Sequence, residues 1–308
     1  MYLSDPESRY NLLVKPKSPK WKITNDLHLH TSISDGNITP NDLIIKISKT
    51  DINCISITDH DITEAIDECK EISIEKNITV IPGVEISTSF QKNDIHILGY
   101  FIDYKNIELQ SSLGTLRNSR KKSILKTISI LQDNGFEISE KEVTDISKGT
   151  IGRPHIAQIL KSKGYFNSTT EAFEKILTNK KIVNIKRKKI DTLHSINLIN
   201  QAGGIAVLAH PRSIKDLEKV IPIFVENGLG GIEVFSEKHK NETLNYLKNI
   251  SEKYNLVATG GSDYHGRNEP NEIMPGMNGA PPETPHLLLS KTLEFHGSNI
   301  GSVPKGLK

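Results

Sequence analysis

A chain of 308 residues is long enough for one large α/β barrel or for two ordinary domains. Its 39 Lys and Arg against 37 Asp and Glu leave it nearly neutral, which argues against general polyanion binding and confines any nucleic-acid contact to a local site. Hydrophobic content is a modest 36%, but apolar runs recur along the whole chain and argue against extended disorder.

Residues 1–22 read as a polar, proline-punctuated leader without a motif. No stretch there has the apolar length of a signal peptide, and no window in the chain reaches transmembrane length, so a soluble, cytoplasmic protein is expected. A strand opens near Asn25 and runs into DLHLHTSISDG, residues 26–36. Side chains two apart on a strand share a face, so His28 and His30 point the same way, and Asp35 follows closely. Paired imidazoles make a poor core and a good metal clamp; by themselves they also read as surface histidines at a strand end.

PNDLIIKISKT suits a helix over 40–50, with Thr39 as its cap and Pro40 at its first position. NCISITDH is a buried strand, ITEAIDECKEISIEKN a helix, ITVIPGVEIS a strand and DIHILGYFID another. Strands alternating with helices of this length predict parallel βαβ units. Cys54 and Cys69 lie in apolar and helical runs without CxxC spacing, which predicts buried free thiols and a reducing compartment. From 109 to about 185 the chain reads as helix after helix, a helical insertion (cap) between a first barrel part at 23–108 and a second at 186–266. Strands return at GGIAVLAHP, GLGGIEVFS and LVATGGSDYH. The tail at 267–308, rich in Gly, Pro and Asn, is expected to be loop with a short frayed end.

Candidate ligands fall at the ends of the predicted strands. His28 and His30 end the first, Asp59 and His60 the second, and Glu85 lies at the end of VIPGVE. His96 lies within NDIHILGY, His210 ends AVLAHP, and Asp263 and His265 end GGSDYH. In a barrel of parallel strands the carboxyl ends form one rim, where catalytic groups collect. Taken singly, His96 also reads as a core histidine, Glu85 as a lysine-paired carboxylate and His210 as a turn residue. Taken together, imidazoles and carboxylates without thiolates suit Zn, Mn or Fe, and nine ligands imply two or three ions.

DLHLHTSISDG, SITDHD, GVEIS, HILGY, AHP and GSDYHG, in this order, resemble the polymerase and histidinol phosphatase (PHP) family of metal-dependent phosphoesterases. The resemblance spans about residues 25–266. It implies a distorted (β/α)7, TIM-like barrel with a trinuclear metal centre. TIGRPHIAQILKSKGYF followed by INQAGGIAVLAHP resembles the branch containing nucleoside 3′,5′-bisphosphate phosphatases and 5′-3′ exoribonucleases. Carried over, it assigns His28, His30, Glu85 and Asp263 to one ion and Asp35, His60 and His265 to a second. Glu85, His96 and His210 are assigned to a third, with Glu85 bridging. Asp35, His60 and His265 are also the candidate catalytic residues.

The expected reaction is hydrolysis of a phosphate ester by a metal-bridging hydroxide, on bisphosphonucleotides or the 5′ ends of short RNA. Arg153 of GRPH is a candidate for pairing with a second phosphate, and His155 for assisting there or protonating the leaving oxygen. A structural role at the helix start fits both equally well. Arg212 is a further substrate-binding candidate. Where relatives of this branch often carry an aromatic-Val-Pro stretch, the chain has VNIKRKKID, which reads as a solvated face or as a contact for a polyanionic substrate. Two alternatives stay open: a non-catalytic PHP assembly module, and a phosphatase or cyclic-phosphate phosphodiesterase acting on another small metabolite. No membrane contact and no obligate protein partner are expected.

Overall fold

The computed structural model describes residues 21–307 apart from 92, 148, 184, 186, 237–240 and 270–271. The leader therefore lies outside the described residues except for its last two positions, and so does Lys186 of the basic run.

Strand β1 (Asn25–Leu29) is followed by α1 (Pro40–Ile47), β2 (Cys54–Ile57), α2 (Ala65–Ile74) and β3 (Thr79–Phe90). The three strands pair in parallel. Helix α1 begins where its sequence predicts: Thr39 Oγ1 accepts the Asp42 N–H at 3.1 Å, and Pro40 takes the first turn. Its apolar residues Leu43, Ile44 and Ile47 recur at helical spacing and pack with Leu29, Ile55 and Ile57. Cys54 and Cys69 are buried and unpaired, as expected.

The parallel alternation breaks at β4 (Asn93–Tyr100). It forms an antiparallel hairpin with β3, Phe90 opposite Asn93, and runs antiparallel to β6 (Ile205–Leu208) as well. The cause is connection length: a parallel neighbour needs a crossover of a dozen or more residues, which the chain between β3 and β4 lacks. Reversal has a consequence for the site. The first half of β4, with His96, lies at the rim where the parallel strands end.

Between β4 and β6 come α3 (Ile107–Asp133), α4 (Glu140–Ile146), α5 (Arg153–Ser162) and the short α6 (Thr169–Ala172), which runs into a π-helical turn at Phe173–Leu177. They are followed by α7 (Lys180–Val183), the two-residue β5 (Ile190–Asp191) and α8 (Thr192–Gln201). Leu109, Leu113 and Leu116 in the first half of α3 join the barrel core beside Ile196 and Ile199 of α8. Ile124, Ile128 and Leu131 in its second half belong instead to a separate core with Ile156, Leu160 and Leu177.

Helix α9 (Leu217–Glu226), β7 (Leu229–Phe235), α10 (Asn241–Lys253) and β8 (Val257–Gly260) restore the parallel pattern. The sheet order is β1-β2-β3-β4-β6-β7-β8, with β5 beside β3. The sheet curls until the chain after β8 meets β1: Asp263 N–H donates to the His28 carbonyl and His30 N–H to the Tyr264 carbonyl, each at 3.0 Å. The result is a distorted α/β barrel, as expected.

The tail corrects the sequence reading. Residues Thr284–His296 form a thirteen-residue helix, α11, with Pro at its first turn and Gly297 after its last. Its Leu288 is buried with Leu27, Tyr100 and Val207. The helix shows weak periodicity because only a narrow stripe faces the barrel, so tertiary packing decides it. No helix among the described residues is long and apolar enough to cross a membrane.

Candidate metal centre

Glu85, in the middle of β3, is the hub. Its Oε1 lies 2.8 Å from His96 Nδ1 and 2.9 Å from His210 Nε2. Its Oε2 lies 3.0 Å from His60 Nδ1, 3.3 Å from His30 Nε2 and 3.4 Å from His28 Nε2. Asp263 Oδ1 is 3.5 Å and 3.3 Å from the Nε2 atoms of His28 and His30. Asp35 Oδ1 is 3.3 Å from His265 Nε2 and 3.9 Å from His60 Nε2. All nine residues of the predicted set thus converge.

Three groups have the spacing to hold an ion: His30, Asp35, His60 and His265; His28, His30 and Asp263; and His60, Glu85 and His96. They overlap the expected groups but share His30 and His60, each ring offering one nitrogen to either side. Three strand ends reach the cluster through left-handed backbone, at Asp61 (φ 56), His210 (φ 27) and Asp263 (φ 53). That conformation is costly for non-glycine residues and concentrates at functional sites.

The donor set was tested against a metal by asking what its atoms lack. His28 Nε2, both nitrogens of His30, Asp35 Oδ1, His60 Nδ1 and Glu85 Oε2 are buried without a hydrogen-bond partner. Buried polar atoms are almost always satisfied, so this group of orphans facing one another fits divalent cations with nitrogen and oxygen ligands. Two tautomers are set from outside the cluster. His28 Nδ1 donates to Glu233 at 3.1 Å and His265 Nδ1 to the Asp263 carbonyl at 2.8 Å, which leaves each Nε2 free to ligate.

Electrostatics agree. Burial alone would raise the Asp35 carboxyl, but the imidazoles of His265, His60 and His30 hold it well below the usual carboxylate range. Burial likewise opposes ionisation of Glu85, and His60, His96 and His28 more than reverse it. His60 is pulled down to about 4 by burial, against Glu85 and Asp35. For His28 and His30 burial is outweighed by the neighbouring carboxylates, and both are raised, His30 to about 9.

The cluster forms one wall of a cleft of about 460 Å³ containing Asp35, His60 and His96. Arg153, the first residue of α5, lines this cleft. His155 does not: it is buried, and its Nδ1 accepts the Gly152 N–H at 2.9 Å, capping α5 from within. Arg212 lines a different depression, with Ile214, Leu217 and Tyr246. In VNIKRKKID, Arg187 and Lys189 line the cleft while Lys188 is exposed, so the run is not simply a solvated face.

Sequence reasoning missed Glu233. It lies in β7 among seven consecutive buried residues, accepts from His28 Nδ1, and takes the His210 N–H on Oε2 at 2.7 Å. The signal was present: a lone carboxylate inside the apolar run GLGGIEVFS needs a partner. Asp59 also faces away from the cluster, accepting from Thr31 N–H at 2.8 Å and from the Thr31 and Ser34 hydroxyls, which ties down the loop leading to Asp35. Glu233→Ala is expected to weaken metal binding about 10- to 100-fold, and Glu233→Gln by less, because an amide oxygen still accepts from His28. Competition against a chelator measures this; equal affinities would separate Glu233 from the centre.

Residues 26–192, more than half of the chain, match the PHP domain family. The chain belongs to the PHP domain family. Glu233 and the PHP ligand candidates His210, Asp263 and His265 lie beyond that match, so the later strands complete the cluster. The PHP chain is 30% identical to the 5′-3′ exoribonuclease Rnm of Escherichia coli K12 over 80% of its own length and 86% of that protein's. It is 28% identical to the 3′,5′-nucleoside bisphosphate phosphatase of Chromobacterium violaceum, covering 79% and 88%. It is 27% identical to the phosphoribosyl 1,2-cyclic phosphate 1,2-diphosphodiesterase of Eggerthella lenta, covering 79% and 94%. A crystal structure described as a metal-dependent phosphoesterase from Bifidobacterium adolescentis superposes with a TM-score of 0.82 at 29% identity, over 89% of this chain and 98% of that one. This PHP protein is an enzyme of the metal-dependent phosphoesterase class.

Proposed function

We propose that the protein hydrolyses phosphate esters at nucleotide ends, taking 3′,5′-bisphosphonucleotides or the 5′ ends of short RNA. One observation carries this reading: the Glu85-centred cluster opens into a cleft that combines arginines with the apolar side chains of Ile124, Phe173 and Ile182. Arginine forks suit phosphate oxygens, and an aromatic ring beside them suits a base. The exoribonuclease and bisphosphatase among the relatives support it.

The nine residues would hold two or three divalent ions, Mn, Zn or Fe by their donor chemistry. Bound there, such ions would neutralise phosphate oxygens, lower the pKa of water and clamp the group for in-line displacement. The chain's own part is to fix the ligands. Glu85 ties five imidazoles to one point, Glu233 sets the His28 tautomer, and Asp35, His60 and His265 face the cleft side as the residues nearest the reaction. Residues 109–185 serve as a cap over the rim, bringing Arg120 and Arg153 to the cleft. Two buried free thiols suit a reducing cytoplasm, and nothing in the reaction calls for a membrane or an obligate partner protein.

A cyclic phosphate is the second reading, favoured by the similarity to the Eggerthella lenta enzyme. A screen on Mn-loaded protein with bisphosphonucleosides, 5′-phosphorylated RNAs and cyclic phosphates decides between them. Run in oxygen-18 water, the reaction is expected to place the label on the released phosphoryl group. Label on the leaving alcohol, or in neither product, would exclude attack by water at phosphorus.

A further inference from the structure

Four cationic side chains reach the cleft beside the Glu85 cluster: Arg120, Arg153, Arg187 and Lys189. Setting aside Asp35 and Glu85, whose charge bound ions would match, two carboxylates oppose them. Asp94 Oδ1 lies 2.6 Å from Lys189 Nζ. Asp61, fully buried directly after His60, receives Nη2 of Arg120 and Nη2 of Arg187 on the same oxygen, each at 2.8 Å. Its other oxygen accepts the Ser87 N–H at 2.8 Å, and Arg120 also donates to Ser87 Oγ at 2.7 Å.

One carboxylate therefore anchors two guanidiniums that repel each other, one from α3 and one from the chain returning to β5. Burial first, and the neighbouring Arg120 second, push Arg187 down to about 10. Arg187 Nε is buried and has no partner. Two positive charges remain unmatched in a half-enclosed cleft, which is the charge of one phosphate monoester dianion. A protein does not gather such charge without a counter-ion to meet it.

We infer that Arg187 and Lys189, with Arg120 held in place by the Asp61 carboxylate, form a second anion site that receives a terminal, non-reacting phosphate of the substrate. The inference rests on the nucleotide phosphoesterase reading. It narrows that reading to substrates whose scissile phosphate lies one nucleoside away from a phosphate monoester. Both bisphosphonucleosides and 5′-phosphorylated RNA meet that description. Arg187 and Lys189 are specificity residues, and Asp61 is a positioning residue that acts through the arginines. Asp61 adjoins His60, so the second site is tied to the rim and not to a separate loop.

The test is a comparison of a bisphosphonucleoside with an aryl phosphate, which carries only the reacting group, on the Mn-loaded enzyme. Arg187→Ala is expected to lower kcat/KM for the bisphosphonucleoside about 10- to 100-fold, chiefly through KM, and to leave the aryl phosphate little changed. Arg187→Lys should recover only part, because a point charge replaces a fork. Calorimetry should show weaker binding of a nucleoside 5′-monophosphate to Arg187→Ala. Equal losses on both substrates, or unchanged nucleotide binding, overturn the second site. A wild-type enzyme that cleaves aryl phosphate but no nucleotide overturns the functional reading instead, and calorimetry then decides the anion site alone.

Discussion

Protein purified without chelator is expected to carry more than one equivalent of transition metal per chain, and His28→Ala or Asp263→Ala to lower that number. Both substitutions should reduce hydrolysis by on the order of a hundredfold or more, since each removes a donor and displaces the rest. His28 is the sharper case because its two nitrogens serve different masters. Nε2 faces Glu85 and Asp263, and Nδ1 is spent on Glu233. Alanine there leaves Glu233 buried and uncompensated as well as removing a ligand. Elemental analysis with turnover assays checks both variants. A wild-type chain that holds no transition metal and gains no activity from Mn would sink the assignment of these nine residues.

The same cluster gives metal binding a pH dependence of definite sign. The metal-free folded chain keeps protons on His28 and His30, which their carboxylate neighbours raise, His30 to about 9. His60, lowered to about 4 by burial, is already neutral at pH 7. Ligation needs neutral imidazoles, so each ion must displace protons from His28 and His30, and acidification favours the protons. Affinity should fall from pH 8 to pH 5. Because ions bind the folded state alone, the metal-dependent rise in melting temperature should shrink over the same range.

Gly261→Ala should damage the enzyme from outside the ligand set. Gly261 follows β8 and presses on β1: an added Cβ would sit 2.6 Å from the His28 backbone nitrogen and 2.9 Å from Asp26 Oδ1. The next two residues are pinned to the same strand, Ser262 N–H to Asp26 at 2.9 Å and Asp263 N–H to the His28 carbonyl at 3.0 Å. Backbone cannot yield as a side chain does, so β1 and the 261–263 segment must part, carrying His28 and Asp263 with them. Overpacking of this kind costs about 1–3 kcal/mol, and a displacement of about 1 Å at the ligands costs on the order of a hundredfold in rate. Gly114→Ala supplies the contrast. Inside α3 its Cβ meets nothing closer than an Arg117 nitrogen at 3.9 Å, so it should stabilise by about 0.5–1 kcal/mol and keep full activity. Thermal unfolding and metal analysis of the pair check this; full metal content in Gly261→Ala would show that the close approach does not position His28.

Much of this protein was legible along the chain because the deciding interactions are local. Thr39 and Pro40 start α1 through contacts within one turn, and two-residue periodicity places His28 and His30 at the end of one strand. Histidines and carboxylates at successive strand ends converge as soon as strands share a sheet, so the nine candidates could be named before the barrel was seen. Other features depend on which strands become neighbours. The length of the β3–β4 connection forces a hairpin, yet only the sheet shows that reversal brings His96 to the rim. Glu233 looks like an isolated buried acid until β7 places it against His28. Arg120 reads as part of the charged surface of a helix, and Arg187 as one of a basic run. Their roles come from Asp61, 59 and 126 residues away in sequence, which draws both arginines into the cleft. Helix α11, too, takes its stability from the barrel, with Leu288 buried against residues far back in the chain. Periodicity and capping act over a few residues and can be read directly. Charge pairing across the fold acts through space, and only the tertiary structure decides which charges meet.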